Sequence, residues 1–336
     1  MTQILFFTIP MLATFLLSWV FYKYGQIDNL FNVPNSRSSH SIPILGGGGI
    51  VIIFVLSISI FLLESFGSIN FHIYKGLLFC SIVVGFIGFI DDIRNVSPLF
   101  RLFIHLAVAL LGVYLIGGFN EVLILGHMLH LGWFGFILAI FYSVWMLNLY
   151  NFMDGIDGIA SIQAITVCII FSIINFTLFP EFEPELGKVY LLLASCLLGF
   201  LPFNFPKARI FLGDTGSGFL GIILAFLSIE STSQQPLNFW IFLILMSVFI
   251  VDATFTLFWR IYHNEVIYEA HSNHAYQSAA RLFNSHVRVS LSILVINLLW
   301  LTPIAVLVAL GLIQGIVGLG IAFTPLVLIC LYFKSK

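Results

Sequence analysis

The sequence predicts an all-α, polytopic integral membrane protein with about eleven transmembrane helices. Three observations predict it. Of 336 residues, 60% are hydrophobic and only 8% are charged, where an ordinary soluble domain carries ~25% charged residues. Mean hydropathy is +1.09. The apolar residues fall into runs of bilayer length separated by short polar breaks. The same composition excludes disorder, collagen, coiled coil and a disulfide-stapled secreted domain. A net charge of −2, from 13 basic and 15 acidic residues, argues against bulk nucleic-acid binding.

In chain order, the runs predict spans at 4–22, 44–63, 76–90, 99–116, 132–147, 159–179, 188–203, 215–229, 238–256, 289–310 and 315–333. The first lacks the basic start and small-residue cleavage site of a signal peptide, and its apolar stretch is too long for one. Three spans, 76–90, 188–203 and 215–229, read short, as spans beside a recessed site often do. No internal repeat or low-complexity linker is visible, so residues 1–336 read as one domain. Cys80, Cys168, Cys196 and Cys330 lie in apolar runs without a CxxC pair, which predicts packing rather than redox or metal chemistry.

Basic residues predict the orientation. With eleven spans, one set of loops holds Lys23, Arg37, Arg94, Arg101, Lys207, Arg209, Arg260, Arg281, Arg288, Lys334 and Lys336. The other holds only Lys75 and Lys188. The first set is expected in the cytoplasm, with the N-terminus outside and the C-terminus inside.

The acids then divide by side. Those expected outside are scattered or sit in one acidic loop, as on any solvated surface. Five of the nine expected inside fall in three compact motifs, each at the end of a span. An acid there is costly and needs a reason.

The first motif is Asp91-Asp92. Adjacent carboxylates at a helix end repel one another unless a divalent cation or cationic substrate neutralises them; the bland alternative is a solvated helix end. The second runs from Asn148 through Asn151 and Asp154 to Asp157, with Gly155 and Gly158 between. If helical, the spacing puts four polar side chains on one face; the alternative is a polar loop. The third runs from Asn204 through Lys207, Arg209 and Phe211 to Asp214 and Ser217. Free N–H groups at the helix start would suit an anion such as phosphate, although Lys207 and Arg209 also satisfy the positive-inside rule alone. The P-loop spacing is absent.

Two more segments carry cations. Arg37 and His40 precede Gly46–Gly49, and His271 and His274 form an HxxH pair. No third zinc ligand stands at familiar spacing, so phosphate binding or proton transfer suits these histidines better. Asp252, near the end of a span, is expected to have a buried partner. Carboxylates, cations and an aromatic at one membrane face predict phosphoryl transfer from a soluble nucleotide-linked donor to a lipid acceptor.

In these motifs and their order, the sequence resembles the polyprenyl-phosphate N-acetylhexosamine-1-phosphate transferases (glycosyltransferase family 4). The resemblance runs from Arg37 to Gln277 in motifs and throughout in topology. It implies an enzyme of the bacterial inner membrane that takes a UDP-N-acetylhexosamine and undecaprenyl phosphate, uses Mg²⁺ or Mn²⁺, and releases UMP. It implies Asp91 as base or acceptor-phosphate contact with Asp92 in support, and Asp214 as metal ligand. Phe211 is implied to stack on uracil, with Asn204 and Asp157 holding the nucleoside. Asn148, Asn151, Asp154, Lys207, Arg37 and His40 join the substrate-binding set, and His271 and His274 the catalytic set.

The two-histidine loop looks more like the branch that starts O-antigen synthesis, with UDP-GlcNAc or a 6-deoxy UDP-HexNAc as donor, than the lipid I synthases, which use UDP-MurNAc-pentapeptide. That second branch is the alternative reading, and a secondary transporter is the alternative of a different class. A transporter's site would lie near the midplane of a repeated fold, which the acid positions oppose. Bilayer lipid is an expected partner, nucleic acid is not, and a homodimer stays open.

Overall fold

The computed structural model describes residues 2–25, 30–32, 34, 42–65, 72–179, 184–265 and 273–335. It is a helical bundle. The helices are α1 (Thr2–Tyr24), α2 (Gly49–Ser65), α3 (His72–Ile93), α4 (Pro98–Ile116), α5 (Gly132–Met153), α6 (Ile159–Leu178) and α7 (Pro184–Asn204). They continue with α8 (Gly213–Gln234), α9 (Asn238–Leu245), α10 (Ser247–Tyr262), α11 (Ala275–Phe283), α12 (His286–Ile296), α13 (Thr302–Ala309) and α14 (Gly315–Lys334).

Among the described residues, eight helices are long and apolar enough to cross a membrane. The count is nine if α9 and α10 form one span bent by 71°. That is fewer than the eleven expected from apolar runs, although a helix lies at each expected segment; α2, at 17 residues, is shorter than the eight. The three spans that read short are full helices of 22, 21 and 22 residues. Their polar ends, Asp91 and Asp92 included, continue the helix beyond the apolar run.

Two small hairpins were not legible in the pattern. β1 (Phe31–Asn32) pairs antiparallel with β2 (Ile44–Leu45), and β3 (Glu121–Ile124) with β4 (His127–His130). The β3–β4 turn uses Leu125 at φ 50° and Gly126 at φ 80°, the left-handed pair that matches strand twist.

α8 is the axis of the bundle: its apolar window is entirely buried, packed chiefly on α3 and α5 and also on α2. Small residues permit this. A Cβ on Gly49 would run into the Gly216 backbone, so backbones approach as small residues allow in membranes. The bend between α9 and α10 leaves Leu245 O without a helical donor, and Gln163 Nε2 donates to it at 2.9 Å. Asn297 Nδ2 in turn donates to Gln163 Oε1 at 2.8 Å and Thr166 Oγ1 at 2.9 Å. Asn297 begins a π-helical turn, Asn297–Leu301, just before Pro303, which has no N–H to donate.

Candidate active site

The end of α3 meets the start of α8. Asp92 Oδ1 accepts from Asp214 N–H at 2.9 Å, and Asp92 Oδ2 from Thr215 N–H at 3.1 Å and Thr215 Oγ1 at 2.6 Å. Asp92 thus satisfies the orphan donors of the α8 N-terminus and faces its positive dipole end. The helix start that the sequence offered to a substrate phosphate is therefore already taken by an internal anion. Gly213 makes the fit possible. Its φ is +72°, and a Cβ there would collide with the Asp92 carboxylate.

Asp91 turns the other way. Its Oδ1 accepts from Val96 N–H at 2.6 Å, in the turn into α4. Its Oδ2 pairs with Arg101, whose Nη1 also lies 2.5 Å from Asp214 Oδ2. The remaining oxygen of Asp214 accepts from Asn151 Nδ2 at 2.8 Å, and Asn151 also donates to Ser217 Oγ at 3.0 Å. Asp91, Asp92, Asn151 and Asp214 thus converge, with Arg101 between two of the acids.

The second motif is not one helical face. α5 ends at Met153, and Asp154 occupies its C-cap with φ −89° and ψ 52°. Asn148 bonds back to Val144 O at 2.7 Å, whereas Asn151 reaches Asp214. Among the described residues, the Asp154 carboxyl has no hydrogen-bond partner. Loss of solvent, then the negative charges of Asp214 and Asp92, push it up to about 8.

Asp157 faces a different partner set. Its Oδ2 accepts from Ala208 N–H at 3.1 Å, its Oδ1 lies 3.1 Å from His286 Nδ1, and its carbonyl accepts from Ser290 Oγ at 2.7 Å. Asn204, 2% exposed, donates to Ile210 O at 3.0 Å and accepts from Ser161 Oγ at 3.0 Å. Both side chains therefore hold the Asn204–Leu212 loop in shape. That loop lies along the end of β2 and the residues after it: Phe211 N–H donates to Leu45 O at 2.8 Å, and Gly48 and Gly49 N–H donate to Phe211 O and Leu212 O, both at 2.9 Å. The Phe211 ring is half-buried beside this seam.

Lys207 is exposed and lines a separate cavity with Lys23 and Arg209. His274 is 3% exposed, with Nδ1 3.3 Å from Asp252 Oδ1. Asp252 also accepts from the first N–H groups of α11, Ala275 and Tyr276, both at 2.9 Å. The buried partner expected for Asp252 is thus the start of α11 with His274. Tyr276 Oη donates to Phe152 O at 2.9 Å, and the His274 ring stacks on Phe152 at 6.2 Å, which docks α11 against the end of α5. Arg37, His40 and His271 lie outside the described residues.

Sequence reasoning missed Arg101, Thr215 and His286. Arg101 carried a weak signal: it opens the helix after Asp91-Asp92, where the positive-inside rule made it unremarkable.

A divalent cation fits the donor set. Asp91 and Asp214 share one guanidinium, Asp92 caps the helix start beside them, and loss of solvent together with the charges of Asp214 and Asp92 raises the carboxyl of Asp154. Among the described residues, no three His, Cys, Asp or Glu side chains form a ready metal cage. Mg²⁺ does not require one, because it is commonly held by one or two carboxylates plus substrate phosphates.

With this geometry in view, the comparisons with known proteins are specific. A sequence model described as glycosyl transferase family 4 matches residues 74–232, from α3 through most of α8. The chain is 26% identical over 297 residues to the phospho-N-acetylmuramoyl-pentapeptide-transferase of Streptococcus thermophilus (strain CNRZ 1066), covering 82% of this chain and 81% of that one. It is 29% identical over 262 residues to the protein of the same name from Streptococcus pneumoniae (strain Hungary19A-6), covering 72% and 77%. The corresponding protein of Streptococcus mutans serotype c (strain ATCC 700610 / UA159) is 30% identical over 224 residues, covering 63% and 64%.

Proposed function

Because this chain belongs to glycosyl transferase family 4, we propose that it transfers an N-acetylated amino-sugar 1-phosphate from a UDP-sugar to a polyprenyl phosphate and releases UMP. The relatives' name supports UDP-MurNAc-pentapeptide as donor, and so peptidoglycan synthesis, ahead of the UDP-GlcNAc or 6-deoxy UDP-HexNAc suggested by the His271–His274 spacing. That spacing remains the observation favouring the second reading, a start of O-antigen synthesis. The carboxylate cluster faces the cytoplasm in this reading, with the N-terminus outside and the C-terminus inside, as the basic residues are distributed.

The observation that carries the reading is the cluster of Asp91, Asp92, Asn151 and Asp214 around Arg101. A polyanionic donor must meet an anionic acceptor there, which demands preorganised positive charge. Asp214 and Asp91 would hold Mg²⁺ or Mn²⁺, which supplies charge neutralisation to the phosphates when bound. Arg101 offers a planar fork suited to phosphate oxygens. Asn151 fixes the rotamer of Asp214, and Asp92 fixes the helix start that carries it.

The acceptor phosphate oxygen forms a bond to the β-phosphorus of the donor as the bond from that phosphorus to the bridging oxygen breaks. That oxygen leaves with UMP. A monoprotonated acceptor gives its proton to a carboxylate of the cluster. Asp91, at the α3 end, is the carboxylate placed to take it. Phe211 stacks on the uracil, and Asp157 and Asn204 maintain the loop that presents it.

The test is a UMP-release assay on the purified protein with undecaprenyl phosphate, each donor in turn, and Mg²⁺ or Mn²⁺. Turnover with UDP-MurNAc-pentapeptide alone supports the first reading. Turnover with UDP-HexNAc alone selects the second, and no lipid product with any donor rejects both.

A further inference from the structure

Away from the carboxylate cluster, a cavity of about 560 Å³ is lined by Tyr22, Lys23, the 42–45 segment, Lys207 and Arg209. Its three cations come from the end of α1 and from the Asn204–Leu212 loop. Among the described residues, no carboxylate pairs with any of them. The Lys23 ammonium stands 5.0 Å from the Trp19 ring centroid and 5.2 Å from that of Tyr24, an aromatic setting typical of a membrane interface.

A second, apolar groove of about 670 Å³ runs between α1, α2 and α3. Val20 and Phe21 line the groove where Tyr22 and Lys23 line the cavity, and Ile50 and Val51 continue the chain from Leu45. Cavity and groove are therefore lined by neighbouring stretches of α1 and of the chain that runs from β2 into α2. The groove is open on the side that faces lipid, with Phe54 56% and Phe61 64% exposed.

We propose that this cavity and groove bind one anionic glycerophospholipid, its phosphate among Lys23, Lys207 and Arg209 and an acyl chain along α1 and α2. The charges complement a phosphodiester, and basic pockets between membrane helices suit such headgroups. The groove supplies what a soluble anion would not use. The cavity shares no lining residue with the carboxylate cluster, so the occupant is a resident lipid rather than the reacting acceptor. The proposal rests on the membrane-spanning fold and not on the identity of the donor. A lipid there would brace Leu45, one partner of the Leu45–Ile210 bridge, and Arg209, the neighbour of the other, on the way to Phe211.

The experiment is native mass spectrometry of the full chain in neutral detergent, titrated with phosphatidylglycerol or phosphatidylcholine of the same acyl chains. Each cation near an anionic headgroup is worth roughly fivefold in affinity. The wild type should prefer phosphatidylglycerol by at least about tenfold, and the double variant Lys23→Gln, Arg209→Gln should lose most of that preference. The charge-conserving pair Lys23→Arg, Arg209→Lys should keep it, and Ser57→Trp, which fills the groove, should weaken both lipids. An unchanged preference in the double variant overturns the proposal, as does its loss in the charge-conserving pair. Displacement of phosphatidylglycerol one for one by undecaprenyl phosphate also overturns it, by making this the acceptor's site.

Discussion

Arg101 Nη1 lies 2.5 Å from Asp214 Oδ2, joining residues 113 positions apart, and the same nitrogen pairs with Asp91. One guanidinium therefore ties the start of α4 to the end of α3 and the start of α8. Among the described residues, it is the positive charge paired with two acids that would otherwise repel.

Replacing Arg101 tests whether that charge serves the reaction. Arg101→Ala should lower kcat by ~10²-fold, the cost of removing one preorganised donor at developing charge. Arg101→Lys should recover part of it, since the charge stays but the fork is lost. UMP release under saturating donor measures both. Near-wild-type turnover in Arg101→Ala would leave the arginine a purely structural clasp.

Asp92 should behave as a structural cap. Asp92→Asn replaces one acceptor oxygen with an NH₂ that cannot accept from the α8 N–H groups, and should cost about 1–2 kcal/mol. Thr215→Val removes one of the three donors and should cost less, while Thr215→Ser should be close to neutral. Thermal unfolding in detergent with chelator present reads the order. Wild-type stability for Asp92→Asn would remove the cap.

Asp154 sets a pH dependence. Its carboxyl is raised to about 8 in the folded protein from an ordinary value of 3.8, so the native state holds a proton that the unfolded chain has released. Stability must then fall as pH rises between those values and level off above about 8. The thermal midpoint of the wild type, with chelator, should fall relative to that of Asp154→Asn from pH 5 to pH 8.5. Parallel curves would place the Asp154 carboxyl in the ordinary range.

The Asp157–His286 pair should act on the donor rather than on the step. His286→Ala removes the 3.1 Å contact that helps Asp157 hold Ala208 and the loop bearing Phe211. Loss of one hydrogen bond of about 1 kcal/mol should raise donor KM roughly fivefold with kcat nearly unchanged. His286→Gln, which keeps a donor, should recover much of it. A fall in kcat at constant KM would assign His286 to the chemistry.

Much of the site was legible because charge is scarce in this chain. Asp91, Asp92 and Asp214 stood out against apolar neighbours, and they do converge. Asn148 and Asn151 looked equivalent at the same spacing, yet one bonds back to its own helix and the other reaches Asp214. Periodicity assigns a face, but the end of α5 decides which residue on that face meets another helix. Lys207 read as part of the phosphate motif and lies in another cavity, because the loop from Asn204 folds back on Leu45.

The sequence by itself determined a membrane bundle, the order of its helices and the chemical class of its acids, because hydropathy and charge act locally and the bilayer makes them costly to misplace. Only the tertiary structure decided the role of each acid. Asp91 and Asp92 are adjacent in the chain, but they project in different directions at the end of α3. One pairs with Arg101, and the other caps α8 through contacts more than a hundred residues away. Close packing against glycines at α2 and α8 fixes those directions, and no local pattern encodes which of two neighbouring carboxylates a distant helix start will meet.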